Sequence, residues 1–187
     1  MKKKIITITG VPGSGKSSTA KGVALVLSYE HFSSGDLFRK MAADRGLSIE
    51  GINIAAETQK EIDFEVDKWI EKLGQEKEGF VIDSRMAFHW IPEAFKVFLN
   101  LDIRKAAERT FAQIQREGRA SQAGSSVEEI YHNTMKRLES EKKRYWDLYK
   151  IDYTNPSQFD LVVDTGKNNL EQVIGIVKDA YTSWQSQ

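Results

Sequence analysis

Five short apolar runs alternate with longer segments of helical periodicity along the chain. The runs are rich in β-branched and aromatic residues, as strands are, and they cover residues 4–9, 29–33, 80–83, 96–101 and 159–164. The third and fourth runs are apolar almost throughout, which is typical of strands covered on both faces. This alternation predicts an α/β fold with three layers, in which helices cover both faces of a five-stranded parallel sheet.

Helical segments are predicted between these runs. The spacing of apolar residues predicts helices over residues 16–27 and 36–44, and a long polar helical stretch over residues 50–78. Ser126, followed three residues later by Glu129, matches a capping box and predicts a charged helix that runs to about residue 149. Residues 116–129 are mostly small and polar, which fits either a mobile loop over a site or a plain surface connection.

The composition favours one domain, residues 1–187, without disulfide or zinc chemistry. This length allows one sizeable core, and the chain has no cysteine and only three scattered histidines. Lys plus Arg and Asp plus Glu each number 27, so no basic field is expected to attract nucleic acid or a membrane. The first apolar run is shorter than the apolar region of a signal peptide, which has roughly 7–15 residues. We therefore expect a cytoplasmic location.

The stretch GVPGSGKSS, residues 10–18, lies between the first run and the first helix. Gly10, Gly15, Lys16 and Ser17 match the phosphate-loop pattern G-x-x-x-x-G-K-S/T in the strand–loop–helix context that it requires. Glycines let successive N–H groups face phosphate oxygens, the lysine reaches the β- and γ-phosphates, and the serine hydroxyl can ligate Mg²⁺. The loop predicts nucleotide binding without specifying the reaction.

Two classes of phosphate-loop protein fit the sequence poorly. Guanine-nucleotide switches carry an N-K-x-D motif and a D-x-x-G motif after the third strand, whereas this chain has no N-K-x-D and its third strand ends in DSRM. Motor-type ATPases usually follow the strand aspartate with a glutamate, but Ser84 follows Asp83 here. Hydrolysis as the main activity is therefore not favoured.

Arginines follow the ends of two predicted strands, where open α/β sheets bind ligands. Arg39 lies three residues after Asp36 and follows the second strand, so both side chains are expected to face the same cleft. Arg85 lies two residues after Asp83, at the end of the third strand. A kinase that transfers a phosphoryl group from a triphosphate to a monophosphate gathers roughly six negative charges in its site. Arginine binds phosphate oxygens bidentately, so arginines at these strand ends would help to neutralise that charge.

The charged helix carries two more arginines. Arg137, Glu141 and Arg144 are spaced four and three residues apart, so they project from one face of the helix. Taken singly, each arginine is better explained by a surface position, or by a solvated pair such as Arg137 with Glu141. The joint placement of the four arginines favours a second phosphate site.

Three motifs together resemble nucleoside monophosphate kinases. GVPGSGKSS, SSGDLFR and FVIDSR resemble the phosphate loop, the monophosphate-binding turn and the turn after the third strand of that family. Residues 137–165, RLESEKKRYW through LVVDT, resemble the C-terminal third of cytidylate kinases, particularly the short archaeal-like subgroup. The resemblance implies a P-loop kinase fold with a mobile acceptor-binding segment at about residues 36–78 and a lid at about residues 116–128.

The resemblance also implies which residues act. The donor phosphates of ATP would be held by Gly10, Gly13, Ser14, Gly15, Lys16, Ser17 and Ser18, and Mg²⁺ by Ser17 and Asp83. The acceptor would be bound by Ser34, Asp36, Arg39, Asp63, Arg85, Arg137, Glu141 and Arg144. The catalytic set would be Lys16, Arg85, Arg137 and Arg144. Asp63 is compatible with two roles: it accepts a hydrogen bond from the exocyclic amine of cytosine, or it belongs to a solvated acidic helix face.

These observations predict an enzyme that uses ATP and Mg²⁺ to phosphorylate a nucleoside monophosphate, CMP or dCMP, to CDP or dCDP. Its partner is a small-molecule nucleotide, with no nucleic acid and no membrane, and we expect a monomer. Two alternatives remain open. One is a P-loop kinase for a different nucleotide or small-molecule acceptor, and the other is a non-catalytic nucleotide-binding protein.

Overall fold

The computed structural model describes residues 2–117 and 126–187. Its five strands form one parallel sheet in the order β2-β3-β1-β4-β5. The strands are β1 (Ile5–Gly10), β2 (Glu30–Ser33), β3 (Phe80–Asp83), β4 (Phe95–Asn100) and β5 (Leu161–Asp164). The helices are α1 (Lys16–Leu27), α2 (Ser34–Asp44), α3 (Ile49–Ala56), α4 (Glu61–Glu76), α5 (Ala87–Trp90), α6 (Ile103–Glu117), α7 (Val127–Tyr149) and α8 (Leu170–Gln185), with a 3₁₀ turn at Pro156–Gln158.

Helices cover both faces of the sheet, as the apolar pattern predicts. All six residues of the central strand β1 are buried. Ile6 and Ile8 face the side on which α1 and α8 pack, while Ile5 faces the side on which α4 and α5 pack. Alternate side chains of a strand point to opposite faces, so a strand covered on both sides is apolar almost throughout. The α/β prediction with a five-stranded parallel sheet is confirmed.

The helical stretch predicted over residues 50–78 is two helices, α3 and α4, and a turn at residues 57–60 separates them. The side chain of Ser48 caps the start of α3 by accepting a hydrogen bond from the N–H of Gly51 at 2.9 Å. Ile52 of α3 and Ile62 of α4 belong to one buried cluster with Met41 of α2. A straight helix would hold Ile52 and Ile62 about 15 Å apart, so their shared packing requires the turn.

The other boundaries agree with the sequence predictions within two residues. Strand β3 begins and ends as predicted, β4 begins one residue earlier and β5 two residues later. The charged helix begins after Ser126, which caps it as expected, and ends at residue 149. Helices α5, α6 and α8 were not individually predicted. The predicted lid at about residues 116–128 falls mostly on residues 118–125, which lie outside the described part of the chain.

Candidate active site

The carboxyl ends of β1, β2 and β3 lie side by side at one edge of the sheet, because these strands are parallel neighbours. A cavity of about 260 Å³ opens there, and it is bounded by the phosphate loop and by helices α2, α3, α4 and α7. The predicted site residues that line it are Gly13, Lys16, Ser17, Ser34, Arg39, Asp63, Asp83, Arg85, Arg137, Glu141 and Arg144. Residues from both predicted phosphate-binding sites, the donor site and the acceptor site, therefore line one cavity.

The loop between β1 and α1 has the backbone that a phosphate-binding loop needs. Gly15 has a φ of 87°, in the left-handed region that favours glycine, and it caps the start of α1. At Gly10 a Cβ would lie 2.5 Å from the carbonyl oxygen of Leu99, so a side chain does not fit there. Ser14 is buried and Ser18 is exposed. The first N–H groups of α1 lack helical acceptors, and with the helix dipole they favour an anion.

Lys16 is a buried cation at the donor end of the cavity. Its Nζ donates to the carbonyl oxygens of Gly10 at 3.0 Å and of Val11 at 2.9 Å. Burial, together with the like charges of Arg85 and Arg137, lowers the pKa of Lys16 to about 7. These two arginines therefore lie close enough to the lysine to repel its charge, and an anion between them would be attracted to all three.

Asp83 accepts hydrogen bonds from three side chains. Ser17 Oγ donates at 2.8 Å, Ser33 Oγ at 3.0 Å and His31 Nε2 at 2.7 Å. Burial works to raise the pKa of Asp83, but His31, Ser17 and Ser33 outweigh it and hold the pKa below its ordinary value. Sequence reasoning missed His31 and Ser33. Both contacts follow from the register of β2 beside β3, in which Ser33 pairs with Asp83 and His31 lies two residues earlier on the same face.

Glu141 holds two of the predicted arginines. Its Oε2 accepts from Arg85 Nε at 2.8 Å, and its Oε1 accepts from Arg137 Nε at 2.8 Å. The hydroxyl of Tyr153, a fully buried residue, donates to Oε2 at 3.0 Å. Burial works to raise the pKa of Glu141, but Arg85 and Arg137 lower it to about 2. Glu141 is therefore a buried carboxylate with three partners, whereas Arg137 is 40% exposed. The Arg137–Glu141 contact is half-buried, so its interpretation as a fully solvated pair is wrong.

Arg144 and Asp63 form a buried ion pair between α7 and α4. Arg144 Nε lies 2.7 Å from Asp63 Oδ2, and the two side chains are 7% and 4% exposed. Arg144 Nη1 also donates to the backbone carbonyl of Asn53 at 3.4 Å. Burial raises the pKa of Asp63 to about 6, while Arg144 acts to lower it. Asp63 is not part of a solvated helix face, so that interpretation is wrong.

On α2, Arg39 lines the cavity and pairs with Asp36, and both side chains are largely exposed. Asp36 does not itself line the cavity, so only one of the two side chains faces the cleft as expected. Ser34 is buried, and its Oγ donates to the backbone carbonyl of Asp83 at 3.3 Å. Arg39 thus lies on a more exposed part of the site than Arg85 and Arg144.

The cavity also contains residues that sequence reasoning did not assign to the site. Apolar and amide side chains of α2, α3 and α4 also line it, and these are Phe38, Ile49, Asn53 and Val66. Asp67 lines it one helical turn after Asp63 and accepts a hydrogen bond from the hydroxyl of Tyr149. The spacing of the acidic residues in EIDFEVD was the available signal for Asp67, because positions four apart share a helix face.

The low pKa of Glu141 predicts a specific acid sensitivity. Because its pKa is depressed from 4.5 to about 2, its stabilising contribution is complete above pH 4.5 and is lost as the pH falls towards 2. The shift corresponds to a contribution on the order of 3 kcal/mol. We expect the stability difference between the wild type and Glu141→Gln, measured by urea unfolding, to shrink over that interval. A difference that is constant from pH 6 to 2 would contradict this account.

Comparison with known proteins identifies the family. A family model described as an AAA domain matches residues 9–130. Cytidylate kinase from Natronomonas pharaonis is 34% identical over 182 residues, 96% of this chain and 90% of that protein. Cytidylate kinase from Pyrococcus horikoshii is 37% identical over 180 residues, 95% of this chain and 88% of that protein.

Solved structures agree on the fold. A shikimate kinase from Bacteroides thetaiotaomicron superposes with a TM-score of 0.63 at 13% identity, over 94% of this chain and 96% of that one. At this identity the likeness shows a shared P-loop kinase fold and nothing about the substrate. Because the relatives in sequence match nearly the whole chain, it belongs to the cytidylate kinase family of P-loop nucleoside monophosphate kinases.

Proposed function

We propose that the protein transfers the γ-phosphoryl group of ATP to CMP or dCMP, forming ADP and CDP or dCDP. The observation that carries the proposal is the convergence of Lys16 with Arg85 and Arg137 on one cavity, beside a phosphate loop. One phosphate loop and its lysine suffice for a bound triphosphate, so the additional arginines favour a second phosphate. The name of the relatives supports CMP as the acceptor.

On the donor side, the loop residues and the start of α1 would hold the phosphates. Lys16 would exchange its contacts with the carbonyl oxygens of Gly10 and Val11 for contacts with the β- and γ-phosphates. A nearby anion would also raise the lysine pKa from about 7 and keep the side chain charged. The residues we assign to this side are Gly10, Gly13, Ser14, Gly15, Lys16, Ser17 and Ser18.

Ser17 and Asp83 fit a magnesium ion bound together with the donor phosphates. Their oxygens lie 2.8 Å apart, and Asp83 is ionised near neutral pH because its pKa is depressed. Mg²⁺ prefers oxygen ligands and usually takes one or two carboxylates plus substrate phosphates. In keeping with this, the described residues contain no group of three or more acidic or histidine side chains that would hold a metal alone. When bound, the ion would supply positive charge at the donor phosphates.

On the acceptor side, the arginines would bind the monophosphate and neutralise the charge that spreads during transfer. Glu141 fixes the guanidinium groups of Arg85 and Arg137 before any ligand arrives, so little reorganisation is needed at the moment of reaction. Arg39, Ser34 and Arg144 would contribute further contacts to the acceptor. Phosphoryl transfer depends chiefly on positioning and charge stabilisation, and we assign no general base.

Asp63 and the helices α2, α3 and α4 also belong to the acceptor side in this proposal. Asp63 holds Arg144 through its Oδ2, which favours a role in positioning that arginine at the acceptor. We propose that α2, α3 and α4 form the acceptor-binding segment that the sequence placed at about residues 36–78. Closure of this segment would exclude water, which would otherwise accept the phosphoryl group.

An acceptor panel tests the proposal. ADP formation is measured with ATP and Mg²⁺ in the presence of CMP, dCMP, UMP, AMP, GMP or dTMP, and without any acceptor. We expect CMP or dCMP to give the highest kcat/KM and little ADP to form without acceptor. Turnover with a different acceptor alone would support a P-loop kinase of other specificity. ATP binding without acceptor-dependent turnover would support a non-catalytic nucleotide-binding protein.

Three expectations about the context of the enzyme stay predictions: the cytoplasmic location, the monomeric state and the lack of a nucleic-acid partner. Within residues 2–117 and 126–187, no helix combines the length and the apolar character needed to cross a membrane. Sedimentation at several protein concentrations measures the oligomeric state directly, and a single monomeric species is expected.

A further inference from the structure

Helix α4 contributes two carboxylates to the cavity, and they have different surroundings. Asp63 and Asp67 are four residues apart on α4, and both are buried. Apolar side chains of Phe38, Ile49 and Val66 line the same cavity and offer a surface suited to a flat base. If the acceptor is a nucleotide, as proposed above, its base must lie against polar groups that are able to distinguish one pyrimidine from another.

Asp63 is already committed to a cation. Its Oδ2 lies 2.7 Å from Arg144 Nε, and both side chains are buried, so its charge is compensated inside the protein. A carboxylate can accept several hydrogen bonds, but a base amine at Asp63 would have to share the carboxylate with the Arg144 guanidinium. Because Arg144 already balances its charge, Asp63 needs a donor from the ligand less than an acidic residue without a cation does.

Asp67 is in the opposite situation. Its side chain is buried and lines the cavity, and the hydroxyl of Tyr149 donates to its Oδ2. No lysine, arginine or histidine among the described residues forms an ion pair with it, whereas Asp63 has Arg144. Burial raises the pKa of Asp67 to about 6, so near neutral pH the carboxylate is ionised and only accepts hydrogen bonds. A donor on the ligand would add a second hydrogen bond to the one from Tyr149.

Tyr149 is itself held in place. Its ring packs edge-on against Trp90, with 5.3 Å between the ring centroids, and lies 6.4 Å from the ring of Phe64. The hydroxyl therefore reaches Asp67 from a fixed direction. This contact joins the end of α7 to α4 across 82 residues of sequence.

We propose that Asp67 is a specificity-determining residue, which accepts a hydrogen bond from the exocyclic amine of the acceptor base, and that Tyr149 positions its carboxylate for this contact. Cytosine carries an amine at C4, where uracil and thymine carry a carbonyl oxygen. A carbonyl lone pair placed against a carboxylate is repelled, and the buried carboxylate then receives no hydrogen bond from the ligand. Sites built to bond a substrate N–H reject analogues that lack it by large factors.

The experiment compares kcat/KM for CMP and for UMP in the same preparation of each variant, with saturating ATP and Mg²⁺. The ratio of the two values is independent of the fraction of folded enzyme. We expect the wild type to prefer CMP, and Asp67→Asn to lower the CMP/UMP ratio at least tenfold. In Asp67→Asn, the Tyr149 hydroxyl would donate to the oxygen of the new side-chain amide. The amide N–H₂ would then face the base and donate to uracil. Tyr149→Phe is expected to lower the ratio severalfold.

The matched control is Asp147→Asn, which neutralises an exposed carboxylate of α7 that pairs only with Lys143 among the described residues and lies away from this cavity. Its ratio should equal that of the wild type. A wild-type ratio in Asp67→Asn, or in Tyr149→Phe if the first variant does not fold, would overturn the inference, as would a wild type that does not discriminate. Failure of the proposed function looks different, because the wild type would then phosphorylate neither nucleotide.

Discussion

Replacing Arg85 by alanine is expected to reduce phosphoryl transfer to CMP at least about a hundredfold while leaving ATP affinity almost unchanged. Arg85 lines the cavity, and its Nε is fixed by Glu141 at 2.8 Å, so the guanidinium is preorganised where charge develops. Single groups that stabilise transition-state charge typically contribute 10²–10³ in rate, roughly 3–4 kcal/mol. The measurements are kcat/KM for CMP and, separately, the Kd of ATP by calorimetry.

Arg45→Ala is the matched control for this variant. Arg45 pairs with Glu65 on the surface and does not line the cavity, so turnover should stay within about twofold of the wild type. Turnover that is unchanged in Arg85→Ala would contradict the assignment of Arg85 to the acceptor site. A variant that loses transfer together with ATP affinity would instead place Arg85 on the donor side.

Replacing Lys16 by methionine is expected to have the largest effect, a loss of transfer of at least about a thousandfold accompanied by weaker ATP binding. The side chain keeps its apolar stem but loses the charge that would contact the donor phosphates. Stability should change little, because burial and nearby arginines already depress the pKa of this lysine to about 7. Lys16→Met therefore differs from Arg85→Ala by its effect on ATP.

The control on the same helix is Lys21→Met, which removes an exposed charge one to two turns further along α1. Its kcat and its Kd for ATP should match those of the wild type. Transfer by Lys16→Met within tenfold of the wild-type rate would contradict the donor-site assignment, since the phosphate loop would then act without its lysine.

Local sequence patterns were sufficient to predict the sheet and the phosphate loop. The apolar runs are strands because covered strands need apolar residues on both faces, and Ile5, Ile6 and Ile8 alternate between the two helical layers accordingly. The position of Arg85 could be predicted because it directly follows a strand whose end opens at the sheet edge. The phosphate-loop pattern identified Lys16, and the family resemblance implied the roles of the arginines.

Contacts between distant residues were not predictable in the same way. Asp83 meets His31 across 52 residues, and the hydroxyl of Tyr149 meets Asp67 across 82. These pairs depend on the order of the strands in the sheet and on how α7 packs against α4. No local sequence pattern indicates either of these. The turn at residues 57–60 has no glycine or proline to signal it, and it forms because the apolar residues of α3 and α4 pack in one cluster.

The fate of the γ-phosphoryl group tests the central claim most directly. ATP labelled with ³²P at the γ position is incubated with the protein, Mg²⁺ and CMP, and the products are separated by chromatography. If the phosphate loop is the donor half of a transfer site, the label appears in CDP, with CDP and ADP formed in equal amounts and almost no release without CMP. Label that appears in inorganic phosphate at the same rate with or without CMP would contradict the claim.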